Sequence, residues 1–353
     1  MTVLLLVAAF VVILIGAELF TNSVEWFGHQ LGLAEGAVGS VLAAVGTALP
    51  ETMIPLVAIV FGVGARSDAV GIGAILGAPF MLATLAMFVT GVAVIARARR
   101  RAGDDRVLID AAILGHDVQV FGLLYALAIG VAFLPANLGL PRLLAAIALL
   151  GGYAWYVRGH LRVEAGEAPA DLAPLRFQRL DRGAPSGPGA PVAPRVRIVV
   201  VQLLVALGAI IGGAVIFVGA VEELARLVGL DETLLTLVIA PIATELPEKL
   251  NSVIWIARGK DTLALGNITG AMVFQAAIPT SIALLFASSQ WSIGSGSLVA
   301  FASAGVAFVS TGLIFVPMIR TGRLHGRRLL VGGVMYLAEL GLVAVSLSGT
   351  AGA

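Results

Sequence analysis

Two glutamates lie where lipid tolerates them least, each directly after a proline inside an apolar run. Glu51 sits in VLAAVGTALPETMIPLVAIVFG (41–62), and Glu248 in IAPIATELPEKLNSVIWI (239–256). Proline removes a backbone donor and crowds the preceding turn, which frees carbonyl oxygens upstream. In a bilayer such oxygens must find a partner or line a cavity holding water or an ion. Thr47 precedes Glu51 by four residues, as Thr244 precedes Glu248, so on a helix each pair shares a face. Each cluster then offers a carboxylate, a hydroxyl and loosened carbonyls. Two such clusters brought together suit calcium, which takes six to eight oxygens, better than magnesium with its strict octahedron. Soft metals would want histidine or cysteine. The chain has no cysteine, and of its four histidines His29, His160 and His325 read as loop residues and His116 as a span-end residue beside Asp117.

A single intramembrane glutamate can serve structure alone, and Lys249 adjoins Glu248 as a ready partner. A buried carboxylate is costly in lipid. Its recurrence at two related positions therefore points to function. Glu245 has Ala48 as its counterpart and reads as a partner for Lys249 or a pore-facing residue rather than a ligand. Glu18 and Glu339 read as span-end or bundle-facing residues.

The elements that must hold these residues follow from composition. Hydrophobic residues make up 59% of the 353-residue chain and charged residues 12%, well away from the balance of a soluble domain. This is the composition of an integral membrane protein, and a net charge of +1 gives no basis for a nucleic-acid partner. The opening MTVLLLVAAFVVILIGAELF lacks a basic start and a small-residue cleavage site, so it reads as a first span rather than a signal peptide. At about 20 residues per crossing the chain divides into roughly ten spans. They run 2–21, 37–63, 69–96, 117–134, 140–157, 198–221, 233–257, 263–287, 296–318 and 329–348. Residues 160–197, rich in Pro, Gly, Ala and Arg, read as a flexible linker unable to bury a core. It has no acidic calcium-sensing cluster, so no calcium regulatory domain is expected.

Arginines and lysines cluster after spans three, five, seven and nine, while the loop after span six is mainly acidic. Arg66 and Arg142 are isolated exceptions. The positive-inside rule makes the basic side cytoplasmic and both termini external, in a plasma or inner membrane.

LGLAEGAVGSVLAAVGTALPET (31–52) aligns without a gap on VGLDETLLTLVIAPIATELPEK (228–249), setting Thr47 on Thr244, Pro50 on Pro247 and Glu51 on Glu248. GIGAILGAPFML (71–82) then falls on ALGNITGAMVFQ (264–275), matching Gly73 and Gly77 to Gly266 and Gly270. These glycine pairs read as close helix packing. With five spans in each half, the second half enters the membrane from the opposite side. That is the inverted repeat of many secondary transporters, with the substrate held between the halves. The expected organisation is a first five-helix repeat over 1–159, a linker over 160–197 and a second repeat over 198–353.

At these residues the sequence resembles the sodium/calcium exchanger family of cation antiporters, whose two repeats each carry a G-T-S-L-P-E type motif and then a G-N-x-x-G-S-N type motif. Here they read GTALPE (46–51) and ATELPE (243–248), then GAILGAP (73–79) and GNITGAM (266–272). The resemblance implies an all-α polytopic membrane fold of about ten helices. It also implies Glu51 and Glu248 as central cation ligands, with Thr47, Thr244 and Asn267 adding oxygens and Gln275 as a weaker ligand. The departures are Ala74, Ala78, Pro79 and Leu82 in the first half, Ala271 and Met272 in the second, and Ala48 and Glu245 at the serine of the first motif. Two carboxylates still neutralise one calcium ion but compensate three sodium ions less well. Protons are an alternative counter-ion, since buried carboxylates can take them up.

The leading expectation is calcium export in exchange for sodium or protons, the two halves rocking to expose the site alternately. A sodium/proton or other monovalent exchanger on the same fold is the alternative. An intramembrane enzyme using the carboxylates as acid and base is a remote third, for there is no HExxH, GxSxG or P-loop. The partners expected are inorganic cations and the lipid bilayer, with no cofactor.

Overall fold

Apolar length and polar punctuation set the helices of this protein, whose computed structural model describes residues 2–48, 52, 67–100, 104–135, 137–162, 172–180, 194–227, 245–293 and 298–350. In chain order they are α1 (Thr2–Gln30), α2 (Val38–Ala48), α3 (67–100), α4 (Ala111–Val131) and α5 (Gly139–Leu161). After the linker come α6 (Val196–Leu227), α7 (Leu246–Arg258), α8 (Asp261–Phe286), α9 (Leu298–Thr321) and α10 (Val331–Thr350). Helices α1, α3, α4, α5, α6, α8 and α9 each contain a stretch long and apolar enough to cross a bilayer. The expected spans 37–63 and 233–257 are described only in part, as α2 and α7. A π-helical turn opens α2 (Val38–Ala43) and another lies inside α3 (Leu82–Ala86).

Burial sorts these helices by depth in the bundle. Along the first half of α1 the side chains of Val3, Leu4, Leu5, Val7 and Ile15 stand exposed, as expected of a lipid face. Almost every side chain of α8 is buried, which puts this helix at the centre.

The packing shows a two-fold relationship between the halves. Helices α1 and α6 pair with each other through reciprocal contacts. A Cβ on Gly16 would meet Ile210 Cγ1 at 3.0 Å and the Ala206 carbonyl at 3.3 Å. One on Gly213 would meet Ile13 Cγ1 at 2.8 Å and the Ala9 carbonyl at 3.3 Å. Gly16, Ile13 and Ala9 fall on Gly213, Ile210 and Ala206 in the same ungapped register that sets Glu51 on Glu248. Small residues that let backbones touch are the usual means of helix association in lipid. The exchange extends further: α8 packs on α2, α4 and α5 of the first half, while α3 packs on α7, α9 and α10 of the second. The fold is thus an all-α polytopic membrane bundle of two inverted repeats.

All four basic regions meet at one end of the bundle. Arg97 holds Asp261 through both carboxylate oxygens, the Nη2–Oδ2 contact measuring 2.6 Å, and Asp261 also accepts from the Leu108 amide. Arg258 and Arg176 both donate to Glu18, and Lys260 pairs with Glu25. A two-residue ladder, Arg106–Val107 against Leu324–His325, closes the same end. At the far end Arg142 is fully buried and donates to the carbonyls of Leu134, Ser288 and Trp291. This isolated arginine thus caps the carbonyls of the turns that follow α4 and α8.

The linker differs from expectation where it is described. Leu175 is buried against Trp26 and Val199. Asn22 and Trp26 donate to the Ala173 carbonyl, and Gln202 accepts from the Phe177 amide. Polar side chains in the last part of α1 and the first part of α6 supply the backbone partners that a loop needs to dock. His160, read from sequence as a loop residue, lies buried in the last turn of α5.

Candidate cation-binding site

Three helices from two halves carry the described candidate residues. Helix α2 brings Thr47, α8 brings Asn267, and α7 brings Glu248. The approach of α2 to α8 depends on glycine. A Cβ on Gly270 would lie 2.0 Å from the Ser40 carbonyl, and one on Gly266 would lie 2.9 Å from Ser40 Oγ. With backbones in contact, the Thr47 hydroxyl reaches Asn267 Oδ1 at 3.3 Å while also lying 3.0 Å from the Ala43 carbonyl. The Thr47 side chain is also within polar reach of the Glu248 carboxyl.

The sequence predicts a proline-kinked continuous helix around Glu248. Among the described residues the helix instead begins at Leu246, with Pro247 in its first turn. Proline is at ease there, because the first amides of a helix have no internal partner anyway. The consequence favours the site: Glu248 lies in the first turn of α7, where the positive end of the helix dipole supports a carboxylate.

Glu248 is 1% exposed, and its Oε2 has no hydrogen-bond partner among the described residues. Asn267 Nδ2 is likewise buried and unpartnered there. So are both polar atoms of Asn251, one turn beyond Glu248 on α7. Orphaned buried polar atoms are rare enough to demand a reason. Glu248 and Asn251 on α7 and Asn267 on α8 are three residues of this kind. Sequence reading passed over Asn251, although its spacing of three from Glu248 puts it on the same face.

The remaining expected ligands divide as follows. Glu51 and Thr244 lie outside the described residues. Gln275 is buried on α8, but two turns beyond Asn267, roughly 12 Å along the axis. No hydrogen bond among the described residues ties it to Thr47, Asn267 or Glu248. Lys249 Nζ donates to Glu245 Oε2 at 3.0 Å, both side chains being buried, so Glu245 has the lysine partner. Glu339 is buried too and accepts from Ser303 Oγ at 2.6 Å.

A second carboxylate, invisible as such in the sequence, holds the frame. Asp117 on α4 is fully buried. Its Oδ2 accepts from Ser40 Oγ of α2 at 2.7 Å and Thr269 Oγ1 of α8 at 2.6 Å. Its Oδ1 receives the Tyr156 hydroxyl at 3.0 Å and lies 2.9 Å from His160 Nε2, both on α5. Charge-assisted bonds of this kind are about twice as strong as neutral ones. They fix α2 and α8 within two turns of Thr47 and beside Asn267.

A profile of the family described as sodium/calcium exchanger protein matches residues 1–160 and 198–345. The chain belongs to the sodium/calcium exchanger family. Among individual relatives, a protein of Alkalimonas amylolytica described as putative antiporter CaxA is 27% identical over 145 residues. That match spans 40% of this chain and 43% of the relative, under half the length of either. Solved structures of the sodium-calcium exchanger NCX_Mj share the fold. One, soaked with sodium and calcium, superposes with a TM-score of 0.70 at 15% identity, over 96% of this chain and 97% of the other. Another, soaked with sodium and strontium, gives 0.72 at 16% identity over 97% and 99%.

Proposed function

We propose that this member of the sodium/calcium exchanger family is a secondary antiporter that exports calcium in exchange for sodium or protons by alternating access. The observation that carries the reading is the buried carboxylate of Glu248, whose Oε2 has no partner among the described residues, beside Thr47 of the other repeat, which in turn reaches Asn267. An anionic, oxygen-lined position that shuns water suits a bare cation as substrate. Calcium would take oxygens from Glu248, Thr47, Asn267 and Asn251, with Glu51 and Thr244 completing the set from the repeat-related motifs. Gln275 stands farther along α8 and serves as an approach residue. The basic end of the bundle faces the cytoplasm and both termini face outward.

Calcium flux into everted membrane vesicles, with sodium and pH gradients imposed independently, tests the reading. Glu248→Gln and Glu51→Gln should each abolish flux, and undiminished calcium flux in both would overturn the assignment. A monovalent exchanger is the second reading, supported by the oxygen-poor Ala78 and Leu82 of α3. Sodium flux indifferent to calcium in the same vesicles would select it.

A further inference from the structure

The ion pair beside the site sits where the two halves differ most. At the positions of Glu245 and Lys249 the first half has Ala48 and Thr52. The second half has thus gained a carboxylate and an ammonium one helical turn apart, and the structure joins them at 3.0 Å in the bundle interior. Taking two charges out of water is expensive, and a hydrophobic pair of similar volume would commonly serve stability as well or better. The pair therefore needs a reason beyond packing.

Its surroundings supply one. Glu245 lies within electrostatic reach of Tyr336 on α10, and Tyr336 stacks on Phe80 of α3 with ring centroids 5.9 Å apart. Phe80 belongs to the stretch of α3 where Ala78 and Leu82 are buried without a side-chain oxygen. The corresponding position to Leu82 on α8 is Gln275. A small cation on this side of the site would find one carboxylate and few other donors. An ammonium carried by the chain needs fewer oxygens than a bare ion with its about six ligands, because it has three donors, its stem is apolar and its head is already held by Glu245.

We infer that Lys249 is a tethered counter-cation, occupying at Glu245 the place that a transported monovalent ion would otherwise take. The inference rests on the antiporter reading and sharpens it. Glu51 and Glu248 are left to balance the divalent substrate, while Glu245 is permanently neutralised by a charge that never leaves the protein. The exchanger then moves one monovalent cation fewer per cycle than a site with Glu245 open to solution ions.

The test separates this inference from the antiporter reading by measuring monovalent binding directly. Purified protein in detergent is unfolded thermally in sodium chloride against an equal concentration of a large organic cation, without calcium. Lys249→Met and Lys249→Thr should each acquire a sodium-dependent rise in melting temperature. That rise should exceed whatever sodium stabilisation the parent shows, and the excess should be absent from the Glu245→Ala/Lys249→Thr double variant, which installs the first half's pair. In proteoliposomes the single variants should show a sodium dependence of calcium flux steeper by about one ion. Equal sodium stabilisation of parent and single variants, or none in either single variant, overturns the proposal. So does a double variant that folds where both single variants fail to fold in sodium, because sodium would then be no substitute for the ammonium. Absence of calcium flux in the parent would sink the antiporter reading alone.

Discussion

Ser40 and Thr269, which come from opposite halves of the chain, donate their hydroxyls to the same oxygen, Oδ2 of Asp117. The two residues lie on the helices that also carry Thr47 and Asn267, so one carboxylate sets the spacing between two candidate ligands. Asp117→Asn would keep the volume but turn a donor toward at least one of these hydroxyls or toward Tyr156. Hydrogen bonds to a charged group are worth about 1.5–3 kcal/mol each. The variant should lose about 2–3 kcal/mol of stability in thermal or denaturant unfolding and transport poorly. His160→Gln, which keeps a donor for Oδ1, should be milder in both measurements.

The crossing of α2 and α8 makes a sharper prediction. In Gly270→Ala the new methyl would press on the Ser40 carbonyl, a backbone atom that cannot rotate away. Overpacking of this kind costs about 1–3 kcal/mol. Here it should also part Thr47 from Asn267 and remove calcium flux. Gly122→Ala on α4, whose Cβ would meet nothing within 4 Å, should leave flux unchanged when assayed in the same vesicles.

Asn251 offers a test in which stability and function move in opposite directions. Its amide is buried without a partner among the described residues. Asn251→Leu should therefore raise the melting temperature of the calcium-free protein, since an unsatisfied polar group is removed. If the amide oxygen contacts calcium, the same change should weaken calcium binding about tenfold, equivalent to roughly 1.4 kcal/mol. Isothermal titration and thermal unfolding on one preparation read both.

At the basic end, Arg97 neutralises an Asp261 that is only 1% exposed. Arg97→Ala leaves that carboxylate buried without its counter-charge, with the Leu108 amide still bound, a loss of about 3–5 kcal/mol. Arg97→Met with Asp261→Leu should recover much of it. A double-mutant cycle by chemical unfolding gives the coupling.

Orientation is open to chemistry because the chain has no native cysteine. Single cysteines at Arg327 and at Gln290, both on exposed surface at opposite ends of the bundle, should react from opposite sides of the membrane. A membrane-impermeant thiol reagent should reach the Gln290 position in intact cells and the Arg327 position only in everted vesicles.

The repeated Pro–Glu motif and its glycine-rich companion announce the fold and single out Glu248 and Thr47 as candidates, because intramembrane carboxylates and their spacing stand out against lipid, while Asn267 is reached only through the family resemblance. Other parts were hidden for physical reasons. Asp117 lies near the start of its span, where sequence suggests a solvated helix end, yet hydroxyls from three other helices close over it. His160 precedes a polar run and reads as loop until Asp117 draws it inward. Docking of Leu175 depends on side chains of α1 and α6, far away in sequence, and no local pattern reveals it. The start of α7 at Leu246 was not legible because local rules allow a proline either to kink a helix or to begin one.

Helix α8 is knitted to α4 and α5, while α3 is knitted to α9 and α10. Each mechanical block is therefore a hybrid, assembled from stretches on both sides of the linker. Cutting the chain between residues 162 and 172 would yield two fragments that each lack the neighbours of their own most buried helix. Such fragments should insert singly but assemble only when synthesised together, as interlocked halves rather than as two independent domains.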